Sequence, residues 1–254
     1  MSRPLPSQLG RPLVIAHRGA KAYKPENTLA AFALAVEQGA DMIETDLHLA
    51  SDQTVPIYHD ASLERFGHEG EIAQFSLEEL RAIALQAHAS SGEAGPHEGI
   101  PTLAEMLDAF GSVLPFNLEI KTDTRHRPYP GLQKMALDHV RERGILEQTL
   151  FSSFSDEVLA EIRALEPTAR LGILGDARDP GGMFARAASV GAESVNPYFI
   201  NVNKDLVDEA HDLGLAVFVY TVDEEDRMRS LFDIGVDGIF SNIPDRLRAV
   251  VDSL

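Results

Sequence analysis

Seven side chains in this sequence are of types, and at spacings, that could do chemistry together. An apolar run, Val14-Ile15-Ala16, ends abruptly in His17-Arg18-Gly19, and a second stretch, Asp41 to Leu49, carries Glu44 and Asp46 two residues apart. A short segment, Thr54 to Tyr58, delivers His59 and Asp60, and Pro115 to Lys121 carries Glu119 and Lys121. Residues two apart in an extended strand share a face, so each of these pairs can converge on one place. Glu44, Asp46 and Glu119 are carboxylates with no sulfur among them, a donor set for a hard divalent cation rather than zinc: Mg²⁺ or Ca²⁺, with Mn²⁺ admissible. His17 and His59 can take up one proton and deliver another near neutral pH. Arg18 offers a planar fork for two phosphate oxygens, and Lys121 a point charge on the same strand face as Glu119.

Plainer roles compete with each of these. Glu44 and Asp46 could cap surface turns, but Ile43 and Leu47 beside them argue for a buried strand. Lys121 could do no more than pair with Glu119. Glu26 and Asn27 could bind substrate hydroxyls or cap the first helix, Asn being a good N-cap. Asp60 is expected to orient a neighbour, and Phe154 and Tyr220 either wall the site or pack in the core. Of the other histidines, His48 alone shares a face with Glu44 and Asp46.

The elements that must carry these residues alternate along the chain. The apolar spacing predicts a helix over Asn27 to Gln38, a strand over Asp41 to Leu49 and an extended Thr54 to Tyr58. Residues 61–99 are less regular: the pattern allows a helix over Ser76 to Leu85, and Ala89 to Gly99, rich in Ser, Gly, Glu and His, reads as an insertion or lid. From Thr102 onward helices and strands succeed each other steadily to a last helix, Pro244 to Val251, most helices closing near Gly or Pro. Roughly eight strand–helix units imply parallel pairing and a closed α/β (β/α)₈ barrel, with the active site at the carboxyl ends of the strands. An open doubly wound sheet is the alternative. No linker divides residues 1–254, so the chain reads as a single domain with a small insertion after the second strand, at about 61–99.

Composition narrows the partners. A formal charge of −18 opposes nucleic acid and anionic membrane, and an anionic substrate would need the field reversed locally, by a cation and by residues such as Arg18 and Lys121. The absence of cysteine excludes disulfides, thiolate metal sites and thiol catalysis. No signal-like or membrane-spanning run is found, which makes a cytoplasmic protein without stable membrane insertion the default. Oligomeric state has no sequence signature here.

In order along the chain, His17-Arg18-Gly19, Pro25-Glu26-Asn27-Thr28, Glu44-Thr45-Asp46, His59-Asp60, Ile100-Pro101-Thr102-Leu103 and Asn117-Leu118-Glu119-Ile120-Lys121 resemble the glycerophosphodiester phosphodiesterase family. Ser153-Phe154, Tyr220-Thr221-Val222 and Gly235 to Pro244 continue the likeness more loosely. The resemblance implies a TIM barrel that hydrolyses glycerophosphodiesters to sn-glycerol 3-phosphate and an alcohol. It carries metal binding to Glu44, Asp46 and Glu119, acid–base catalysis to His17 and His59, and phosphate binding to Arg18 and Lys121. A lysophospholipase D or phospholipase-C-like enzyme on the same fold is the nearest rival, and a barrel that binds a phosphorylated ligand without turning it over is the rival of another class. Two places depart from the pattern. Tyr220 stands where the family usually has Trp, and Ser241-Asn242 where it often has Thr-Asp. Both are expected near the pocket, touching alcohol specificity and leaving the catalytic set intact.

Overall fold

The computed structural model describes residues 10–91, 99–176 and 182–254. Eight parallel strands close into a barrel in sequence order: β1 Leu13–His17, β2 Met42–Leu47, β3 Phe116–Ile120, β4 Thr149–Ser153, β5 Arg170–Gly175, β6 Ser194–Pro197, β7 Ala216–Val219 and β8 Gly238–Ser241. The open-sheet alternative is excluded, because β1 pairs with β8 as well as with β2. Helices cover the outside between strands, as right-handed crossovers require. None among the described residues is long and apolar enough to cross a membrane.

Strand alternation divides the apolar residues between two cores. Val14, Ala16, Ile43, Leu47, Leu118 and Phe151 face outward and are buried under the helix layer in the main core. Leu13, Ile15, Met42, Leu150, Phe218 and Phe240 form a second cluster inside the barrel. Two residues beyond Ile15 and Met42, on the same inner face, come His17 and Glu44; Asp46 follows. The barrel interior therefore turns from apolar to ionisable at the carboxyl end of the strands. Hydrophobic contact fills one end and leaves the other to chemistry.

Strand and helix limits agree with the sequence pattern to within a few residues, with two differences of substance. The first helix spans Leu29–Glu37 and its N-cap is Thr28, whose hydroxyl accepts from the Ala31 N–H. Asn27 is thus not the cap; at φ 58° its backbone is still turning, and its side chain is used elsewhere. The helix after the second strand is Leu77–Ser91, longer than Ser76 to Leu85, so the expected lid segment begins inside a helix. Residues 92–98 of that segment lie outside the described residues. Below the helix, Ala50, Tyr58, Leu63, Ile72, Leu80, Ala84 and Ile100 make a satellite core that anchors the 61–91 stretch to the barrel.

The turn after β1 is closely packed against the first helix. Gly19 has φ +81°, and a Cβ there would meet Ala31 at 2.7–2.8 Å, mostly backbone. Gly214 has φ +74° but open space around it. Gly19→Ala should therefore lower stability by about 2–4 kcal/mol, strain plus overlap, against about 1–2 kcal/mol for Gly214→Ala. Equal shifts of the urea midpoint in the two variants would show that the contact with Ala31 constrains nothing.

Candidate active site

Parallel register brings the ionisable residues together. His17 lies beside Glu44, Glu44 beside Asn117, and Asp46 beside Glu119, each as a Cα partner on the neighbouring strand. Glu44, Asp46 and Glu119 are buried, with carboxylate oxygens within 4.8 Å of one another. One oxygen on each is tied: Glu44 Oε2 accepts from the Arg18 N–H at 3.0 Å, Asp46 Oδ2 from Asn27 Nδ2 at 2.8 Å, and Glu119 Oε1 from Lys121 Nζ at 2.6 Å. Glu44 Oε1 and Glu119 Oε2 have no hydrogen-bond partner among the described residues. Asp46 Oδ1 is buried with none aligned, although Lys121 Nζ stands 3.0 Å away. Three converging, all-oxygen donors with one face open fit a hard divalent cation.

Their protonation reflects the crowding. Burial, reinforced by Asp46 and Glu119, pushes the Glu44 carboxyl well above its ordinary range. Burial also raises Glu119, against the pull of Lys121. Asp46 goes the other way: burial opposes ionisation, but Lys121 and Arg18 overcome it. Arg18 Nε lies 3.2 Å from Asp46 Oδ2, and Lys121 spans Asp46 and Glu119, so Lys121 does more than pair with Glu119 alone. Burial disfavours the Lys121 ammonium, but the two carboxylates more than offset that and keep it charged.

The two imidazoles differ in their partners. His17, at the end of β1, sets Nδ1 2.8 Å from Asn242 Oδ1. Burial, then the Arg18 charge, pushes His17 down to about 3, so the ring is neutral at pH 7. His59 sits beyond the short extended segment, where antiparallel bridges from Ile57 to Leu47 and from Pro56 to Thr102 hold the chain against the barrel. Its Nδ1 is 2.6 Å from Asp60 Oδ1, so Asp60 does orient a neighbour. Burial and Lys121 lower the His59 value, while Asp46 and Asp60 resist.

Around the cluster stand supporting residues, some marked in the sequence for other roles (Glu26, Asn27, His48) and some, such as Lys21, Arg65 and Tyr129, with no sequence signal. Asn27 donates to Asp46 and accepts from Thr45 Oγ1 at 2.8 Å, locking one of the three clustered carboxylates from behind. Glu26 is gripped by Arg18 at 3.1 Å, by Lys21 at 2.6 Å and by Arg65, which also pairs with Asp60 at 2.9 Å. Although burial opposes it, these cations hold Glu26 down to about 2. His48, on the Asp46 strand face, places Nε2 3.2 Å from the His59 carbonyl and Nδ1 3.0 Å from the Tyr129 hydroxyl, bracing the loop that carries His59. The Ser241-Asn242 departure reaches further than alcohol specificity, since Asn242 touches His17 directly.

Two adjoining cavities open on this cluster. The inner one, about 100 Å³, is lined by His17, Arg18, Glu44, His59, Glu119 and Lys121, with Phe154 and Tyr220 in its wall. The outer one, about 860 Å³, shares His59, Glu119, Lys121 and Phe154 with it and extends past Asp60, Arg65 and Asp123. Six of the seven residues singled out in the sequence thus line one cavity, and Asp46 lies fully buried behind them. Phe154 is an exposed wall residue, and Tyr220 both walls the cavity and packs against the inner core at Phe240.

Known proteins share this arrangement of fold and sequence. Residues 17–246 match the model of the glycerophosphoryl diester phosphodiesterase family. A glycerophosphodiester phosphodiesterase of Caldanaerobacter subterraneus is 34% identical over 239 residues, covering 92% of this chain and 96% of that protein. One of Bacillus subtilis is 30% identical over 259 residues, covering 94% and 86%. An Oleispira antarctica phosphodiesterase, solved in complex with the product sn-glycerol-3-phosphate, superposes with a TM-score of 0.78 at 28% identity, covering 97% of this chain and 99% of that one. The chain belongs to the glycerophosphoryl diester phosphodiesterase family and is a phosphoric diester hydrolase.

Proposed function

We propose that the chain hydrolyses glycerophosphodiesters to sn-glycerol 3-phosphate and an alcohol, with a divalent cation held by Glu44, Asp46 and Glu119 and with His17 and His59 moving the protons. The observation that carries this reading is the inner cavity, where two imidazoles and two cationic side chains meet Glu44 and Glu119, with Asp46 clustered behind them. The product bound by the Oleispira antarctica protein supports the substrate class. A divalent cation there, Mg²⁺, Ca²⁺ or Mn²⁺, supplies Lewis-acid charge to a phosphoryl oxygen and a template for its orientation.

The chain's own residues divide the remaining work. Arg18 and Lys121 line the cavity and balance charge on the phosphoryl oxygens as the transition state forms. His17, neutral and paired with an uncharged amide, is suited to accept the proton of the attacking oxygen, whether that belongs to water or to a neighbouring glycerol hydroxyl. His59 is oriented by the Asp60 carboxylate, which resists the lowering by burial and Lys121, and it borders the outer cavity, where a departing alcohol has room. It is therefore assigned as the acid that protonates the leaving oxygen. The chain acts in this reading as one catalytic barrel, cytoplasmic and independent of nucleic acid, with Ala61, Ser62, Glu64 and Arg65 walling the outer cavity.

Metal dependence and the division of proton transfer can each be tested directly. EDTA should abolish release of glycerol 3-phosphate from glycerophosphocholine, and one divalent metal should restore it. Glu119→Ala should weaken calorimetric metal binding by more than about a hundredfold, beyond the loss caused by removing a partner behind a ligand. Unchanged binding would take Glu119 out of the ligand set. His17→Ala and His59→Ala should each lower kcat on glycerophosphocholine by about a hundredfold or more with normal melting curves. On a p-nitrophenyl glycerophosphodiester, whose phenol departs without protonation, His59→Ala should recover most of its activity and His17→Ala should not. The reverse pattern would exchange the two roles.

A further inference from the structure

Behind His17 stands Asn242, itself held by a second side chain, Asp223, to which the proposed mechanism gives no part. Asn242 follows β8 by one residue, and its Oδ1 faces His17 Nδ1 at 2.8 Å. Asp223, in the loop after β7, accepts three hydrogen bonds: from Ser241 Oγ at 2.9 Å, from the Asn242 backbone N–H at 2.8 Å, and from Asn242 Nδ2 at 2.6 Å. The Asn242 carbonyl in turn accepts from the Ala22 N–H at 3.1 Å, which ties it to the loop after β1. The amide is thus held by its backbone and its side chain at once, across three neighbouring strand ends.

Chemistry fixes which way the amide points. A carboxylate oxygen accepts and cannot donate, so the amide nitrogen must face Asp223; turned over, two oxygens would oppose each other at 2.6 Å. The amide oxygen is thereby committed to His17. A neutral imidazole whose Nδ1 faces an acceptor carries its ring proton there and leaves the lone pair on Nε2. Nε2 makes no hydrogen bond to any described residue, and His17 lines the inner cavity.

We infer that Asn242 and Asp223 are positioning residues that hold His17 as its Nδ1–H tautomer, so that Nε2 is the atom that takes the proton from the attacking oxygen. The inference rests on the proposed role of His17 and names the atom that performs it. The proton leaves the attacking O–H for Nε2, while the Nδ1 proton stays on Nδ1, donated to Asn242 Oδ1 throughout. Asp223 touches neither substrate nor imidazole and acts only by orienting the amide.

The test reads the tautomer without turnover, by ¹⁵N NMR of protein labelled in its histidine rings, with His17 assigned from the signals lost in His17→Gln. In the wild type, Nδ1 should resonate as a protonated ring nitrogen and Nε2 as an unprotonated one. Asp223→Asn removes the reason for the amide to point one way, so the Nε2–H form should gain population. Its kcat should fall about 10–100-fold, as when the outer partner of a functional histidine is lost, with KM little changed. The double variant Asp223→Asn/Asn242→Asp exchanges the groups: the amide at position 223 donates to the carboxylate at 242, which still accepts from His17. Tautomer and kcat should both return. An Nε2–H signal in the wild type, or a double variant no better than Asp223→Asn, would overturn the inference. A purely structural role for Asp223 predicts lower melting with the tautomer unmoved, which would overturn it too. Normal activity in His17→Ala would instead remove the reading beneath it, a failure told apart because the wild-type tautomer is measured independently.

Discussion

Like charges forced together organise the mouth of this barrel. Glu44, Asp46 and Glu119 place oxygens within 4.8 Å of one another, out of bulk water, where Coulomb repulsion is felt at several times its aqueous strength. Parallel register alone imposes that proximity, and closure of the barrel prevents relief by slippage, since each strand is paired on both sides. The surrounding features answer the repulsion. Lys121 bridges Asp46 and Glu119, and Arg18 reaches Asp46 through its side chain and Glu44 through its N–H, from a backbone at φ 56°, a region an arginine seldom occupies. That turn is pinned: the Arg18 N–H donates to the Glu44 carbonyl and side chain, and the Arg18 carbonyl accepts from Asn27. Strain at one residue is held by hydrogen bonds formed on account of the charges it helps to balance.

Stability and chemistry are drawn from different ends of the same strands. Outward residues such as Val14, Ile43, Leu118 and Phe151 bury against helices along the whole barrel, so the energy of folding does not depend on what the inner face carries at its carboxyl end. The inner face is apolar only lower down, around Leu13, Ile15, Met42 and Phe240. In β1 and β2 one or two inward apolar positions are followed by one or two ionisable ones, while β3 turns Asn117 and then Glu119 inward. That geometry explains why the candidate catalytic residues arrive as pairs two apart.

This arithmetic is also why much of the site could be read from sequence. Glu44 with Asp46, and Glu119 with Lys121, betray themselves because charge at alternate positions of a buried strand is costly to desolvate and is retained where partners or a ligand offset that cost. The helix–strand alternation made the barrel legible for a related reason: period and punctuation are local. What escaped was non-local or conformational. Asn27 looked like a cap, because Asn caps helices well; whether Asn27 or Thr28 caps depends on where the chain turns, and the positive φ at Asn27 is not written in its type. The Glu26–Arg65–Asp60 chain joins loops 39 residues apart and leaves no periodic trace. Asn242 was noticed only as a departure near the pocket, and its contact with His17, 225 residues away, required the ring to close.

The same charges bear on a chain whose formal charge is −18 and whose family acts on phosphodiesters. With all three ionised, the carboxylates against Arg18 and Lys121 would leave the mouth one charge negative, a poor reception for an anion. Neither cation is idle, since both are engaged with the carboxylates rather than with solvent. One divalent ion among those oxygens would reverse the sign of the mouth and relieve the raised Glu44 and Glu119 carboxyls. Arg18 and Lys121 would then have charge to spare for phosphoryl oxygens. Cation and anion would on this account bind as linked events: the carboxylates that repel the substrate in the absence of metal are the groups through which metal makes its binding favourable.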